Sequence, residues 1–118
     1  MSLVRMALPL ALAFGAWGFA GSAVAATPSF AITAPAAGAT VSSPVAIVVA
    51  VQNAKIGKPT DGLDHLHVSV DGGPAMAVYQ PGPVDLSLPA GKHTVEVELA
   101  GPTHAALLPP KSVTFTVR

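Results

Sequence analysis

After residue 25 no stretch of this chain keeps a helical period for ten residues; short runs, alternating or wholly apolar and rich in β-branched residues, are each stopped by Pro or Gly. The sequence holds 12 prolines and 11 glycines in 118 residues, enough to punctuate every such run. A pattern of this kind is met by strands and turns, so the predicted fold class is all-β. Strands are expected over 30–33, 44–51, 64–70, 75–80, 84–88, 92–99 and 112–117. About seven strands at this spacing suit a Greek-key sandwich. The run 45–51 is apolar on both faces and reads as a buried central strand, with Pro44 at its first position. Residues 64–70 alternate, Leu66, Val68 and Val70 on one face and His65, His67 and Ser69 on the other. Val95, Val97 and Leu99 alternate in the same way with Thr94, Glu96 and Glu98.

The first 25 residues have a different design. Arg5 is a positive start, 6–19 are apolar, and Ala23-Val24-Ala25 has the small-residue pattern of a cleavage site. Residues 1–25 are therefore expected to be a signal peptide and 26–118 the mature domain, periplasmic or secreted. The apolar stretch is shorter than the about 20 residues a spanning helix needs, and no basic cluster follows it, so no membrane span is expected after cleavage. The mature part would carry five Lys and Arg against six Asp and Glu. That balance excludes a basic nucleic-acid surface. Trp17 leaves with the leader, which argues against an aromatic platform for sugars or bases. The chain has no cysteine, so thiolate chemistry is excluded and about 90 residues must cohere by packing alone.

Two segments, 88–97 (LPAGKHTVEV) and 112–117 (SVTFTV), resemble the last strands of bacterial immunoglobulin-like domains. A narrower resemblance adds 64–71 (DHLHVSVD) and His104 ahead of Pro109-Pro110. With these, the chain from Ile32 onward is similar to short exported bacterial domains of unknown function that carry an H-x-H strand and a late histidine before Pro-Pro. It departs from them at Leu107, where some carry a second late histidine. The resemblance implies an immunoglobulin-like sandwich and an exported location.

Four histidines in a charge-poor domain point to metal chemistry, but unequally. His93 falls on the inward phase with Val95 and Val97 after a tight turn, and is expected to support the fold by bonding a buried backbone group. His65 and His67 share a strand face about 7 Å apart, close enough to lean toward one ion. With Gly72-Gly73 as the hairpin loop, Met76 becomes a diagonal, same-face neighbour of His67. Pairing of 92–99 with the histidine strand would bring Glu96 and Glu98 to that face as well. Two imidazoles and a thioether suit copper; two imidazoles and a carboxylate suit zinc equally. The expected ligands are His65, His67 and Met76, with His104 as a fourth, and copper as the ion, zinc being the alternative. Asp71 is explained by turn chemistry, and Asp64 is a candidate to orient a histidine ring.

No nucleophile elbow, phosphate loop or H-E-x-x-H is present, so the chain is not expected to be an enzyme. The competing expectation is a metal-free structural or adhesion-type module that contacts another envelope protein, its histidines lying on a solvated edge strand.

Overall fold

The structure is a computed structural model that describes residues 26–118; the expected signal peptide, 1–25, lies outside the described residues. Eight strands run in chain order: β1 Ser29–Ala34, β2 Thr40–Val41, β3 Val45–Gln52, β4 His65–Val70, β5 Met76–Val78, β6 Val84–Leu86, β7 Gly91–Ala100 and β8 Lys111–Val117. They form two sheets, β1-β3-β6 and β2-β8-β7-β4-β5. All pairings are antiparallel except that of β2 with β8. This is the immunoglobulin-like sandwich that the strand spacing predicts, with one strand more. The addition is β2, whose two residues lie beside Thr116 and Val117 and are too short to show a period. Among the described residues no helix is long and apolar enough to cross a membrane.

The core lies between the sheets. Phe30, Val45, Ile47 and Leu86 meet Leu66, Val68, Val95, Val97, Leu99, Val113, Phe115 and Val117 there. Every one of these five-stranded-sheet residues follows the expected inward phase. β3 differs from its reading, because Val45 and Ile47 are buried while Ala46 and Ala50 are exposed. It is the middle strand of a sheet with only one face covered, so its apolar outer face is made of small or half-buried side chains.

The β4–β5 hairpin corrects the expected register. Asp71 and Gly72, at φ 53° and 75°, are the two residues with positive φ, and the Gly73 amide donates to the Val70 carbonyl at 2.9 Å. That is a primed turn centred on Asp71-Gly72, one residue earlier than Gly72-Gly73. That turn alone would set Val68 opposite Ala75; one extra residue is accommodated between Gly73 and Met76, so that β5 pairs Val68 with Met76, His67 with Ala77 and Leu66 with Val78, one residue away from the expected register. A one-residue change of register moves each side chain to the other face of the sheet. Met76 therefore takes the face of Val68, away from His67, and Ala77 takes the place expected for its neighbours.

Candidate metal centre

β4 is not an edge strand: it lies between β7 and β5, with His65 opposite Ala100 and His67 opposite both Glu98 and Ala77. Its outward face is not solvated throughout either, since His65 is fully buried and His67 half-buried. The cover comes from the β7–β8 connection. Beyond Ala100 the chain turns back on the sheet, and Gly101 N–H donates to Ala105, His104 N–H to Gly101 and Leu107 N–H to Leu99. Pro102 sits second in the Gly101–His104 turn, where its fixed φ is favourable. His104 follows at φ 67°, in the left-handed region where histidine is several-fold enriched over most residues.

This turn delivers His104 to the histidine face. His65 Nε2 lies 3.0 Å from His67 Nε2 and 3.0 Å from His104 Nδ1, and the third edge of the triangle is 3.5 Å. The His104 ring stacks on His67 at 11°, while His65 meets both nearly edge-on, at 65° and 70°. Together the three offer one ligand atom each to a common centre. In an ideal tetrahedral zinc site, with Zn–N of about 2.0–2.1 Å, the nitrogens lie about 3.3 Å apart. The observed edges bracket that separation.

Proton arithmetic supports the same use. His67 Nδ1–H donates to Glu98 Oε1 at 3.3 Å, which leaves a lone pair on its Nε2, aimed at the other two rings. A single N–H within the triangle can serve its neighbours only in part, and the remaining lone pairs then face one another. A cation at the centre satisfies all three nitrogens at once. His65 is also held in the form that ligates: burial pushes its pKa below the ordinary 6.5, and the His67 and His104 rings push it the same way, against a smaller opposing effect of Asp64. The second nitrogen of His65, Nδ1, is buried with no partner. Its ring is thus fixed by packing, including the Tyr79 ring at 5.1 Å between centroids, and not by a hydrogen bond.

The structure therefore brings His65, His67 and His104 together and leaves Met76 on the other face. Tyr79 is a site neighbour that strand patterning does not reveal, because the extra residue between the turn and β5 is what aligns it with His65. The nitrogens converge with Leu107 in place, so the departure at that position leaves the triad intact.

His93 lies apart from this cluster. Its ring is nearly buried on the inward phase, with Nδ1 2.7 Å from Asp71 Oδ2 and Nε2 2.8 Å from the Pro89 carbonyl. Both partners only accept, so both ring nitrogens donate and the ring is an imidazolium. The Asp71 hydrogen bond, followed by that to Pro89, raises its pKa above 6.5, and the same bond, with one from the Thr94 amide, lowers that of Asp71. Asp71 is thus more than a turn residue.

Comparison with known proteins adds to the fold and not to the site. No protein-family model matches the chain, and no curated protein does. Among solved structures it is similar to a fibronectin(III)-like module of Clostridium thermocellum CbhA, with a TM-score of 0.57 and 18% identity over 76% of this chain and 97% of that one.

Proposed function

We propose that this chain is an exported, periplasmic or secreted domain that binds a transition-metal ion through His65 Nε2, His67 Nε2 and His104 Nδ1. The observation that carries the reading is the convergence of three imidazole nitrogens within 3.0–3.5 Å. Copper remains first, now as Cu²⁺ and with zinc second, for a reason different from a thioether. For a given set of nitrogen ligands the divalent ions bind in an order that peaks at Cu²⁺, with Zn²⁺ below it, and the placement of Met76 takes away the soft thioether that had favoured Cu(I). The reading involves binding and no catalytic step.

The test is a titration of the mature protein with Cu²⁺ and Zn²⁺ against a competing chelator, with the unfolding temperature followed in parallel. One ion should bind per chain and stabilise it, by about 2.7 kcal/mol when the free ion is at a hundred times its Kd. His104→Ala, a change in an exposed turn, should abolish the shift. Met76→Leu should leave it unaltered. A second reading, a metal-free interaction module of the envelope, is favoured by the likeness to a fibronectin(III)-like module. Equal behaviour of wild type and His104→Ala toward both ions would select it.

A further inference from the structure

Resting on the metal reading above, we propose that the loaded centre keeps one coordination position open, and that a small monodentate anion occupies it. Three features of the site lead there. The first is the shape of the triangle. Edges of 3.0, 3.0 and 3.5 Å place the nitrogens about 1.9 Å from their common centre, inside a metal–nitrogen bond of about 2.0–2.1 Å. The ion then sits roughly 1 Å off the plane of the nitrogens at that bond length, as above one face of a tetrahedron, and the position opposite that face is left over.

The second is that the neighbouring donors are engaged elsewhere. Among the described residues only the three histidines offer ligand atoms to this centre out of all His, Cys, Asp and Glu. The Glu98 carboxylate bonds Nδ1 of His67, the nitrogen on the far side of the ring from the ion. Met76 pairs with Val68 and lies on the other face. Three protein ligands with a fourth place left for water or another ligand is the arrangement of zinc sites that exchange ligands, whereas purely structural sites are closed by four.

The third is access and charge. His104 is exposed and His67 half-buried, so the centre is reached from their side although His65 is sealed beneath. Neutral imidazoles do not cancel the charge of a divalent ion, and the ion then dominates the local field. That residual charge selects an anion over a neutral molecule of the same size.

Cobalt(II) in place of the native ion makes the open position visible, since its visible absorption reports the ligand set. The mature protein is loaded with Co²⁺ and titrated with azide. The bands should shift along a saturable curve that ends at one azide per cobalt, and Tyr79→Phe should follow the same curve. His104→Ala, at the same cobalt concentration, should show neither protein-bound bands nor an azide response. A bound-cobalt spectrum that azide leaves unchanged would overturn the proposal. So would an azide response confined to Tyr79→Phe, because the phenolate would then be the fourth ligand. Failure of cobalt to bind the wild type would overturn the metal reading itself, and the open position with it.

Discussion

At Glu98 a single carboxylate decides how His67 presents itself. By accepting the Nδ1 proton at 3.3 Å it fixes the ring orientation and keeps Nε2 free for an ion. Carboxylates in that role are commonly worth about 10–100-fold in metal affinity. Glu98→Ala should therefore weaken Cu²⁺ and Zn²⁺ binding by about that factor while the fold is retained, since the side chain is on the outer face. Affinity equal to wild type in the chelator titration would show that the carboxylate plays no part. His65 contrasts with this, because its Nδ1 has no partner and only packing holds the ring. That Glu98 shares the outer face of His67 was legible in the sequence from period-two alternation, whereas the register that sets the two opposite one another was not. His104 was not placed, because a loop residue has no period, and only the tertiary course of the turn after Ala100 brings it to His65.

The hairpin between β4 and β5 shows where strand patterning stops being informative. The segment Asp71-Gly72-Gly73-Pro74 accommodates a primed turn on either Asp71-Gly72 or Gly72-Gly73, and both would leave Met76 on the histidine face; the extra residue between Gly73 and Met76 is what turns Met76 to the other face. The choice falls to Asp71. Its Oδ1 accepts the Thr94 amide and its Oδ2 faces His93, while its own amide donates to the Thr94 carbonyl, and all of these fasten the turn to β7. The register is directly testable. Ala77→His should raise metal affinity by adding an imidazole opposite His67, and Met76→His should leave it unchanged. The reverse result would put Met76 back on the histidine face and contradict the observed register.

The Asp71–His93 pair also gives the turn a pH dependence. Because the folded state raises the His93 pKa, its contribution is fully present below pH 6.5 and is lost as pH rises through the raised value. Asp71 acts at the other end, with a contribution present above 3.8 and lost as pH falls through its lowered value. His65 runs against His93, since a pKa held below 6.5 by burial favours the folded state above that pH and disfavours it as the pH falls. The useful quantity is thus the difference in unfolding free energy between wild type and His93→Gln, measured with chelator present. It should be largest at and below pH 6.5, above the range where Asp71 is protonated, and should shrink as the solution becomes alkaline. A difference that grows toward high pH would contradict the imidazolium assignment.

Over the whole molecule, the sandwich supplies a sheet in which β4, paired on both sides, carries two of the ligands, and one connection folds over it to supply the third. The chain has no cysteine, so no disulfide ties that connection down. An ion shared by His65, His67 and His104 would link positions 39 residues apart, which gives metal binding a means of stabilising the fold as well as using it. The core-facing positions of β4, β7 and β8 could be read from periodicity, and the sandwich from the strand spacing, but the one-sided burial of β3 could not, since its run is apolar on both faces. The burial of His65 could not, because it comes from a loop lying on the outside of a sheet face that patterning assigns to solvent. X-ray absorption at the edge of the bound metal tests the central claim most directly. The account predicts a shell of light atoms near about 2.0 Å with the outer scattering of three imidazoles, and no sulfur. A sulfur shell near about 2.3 Å, or scattering from fewer than three imidazoles, would contradict it.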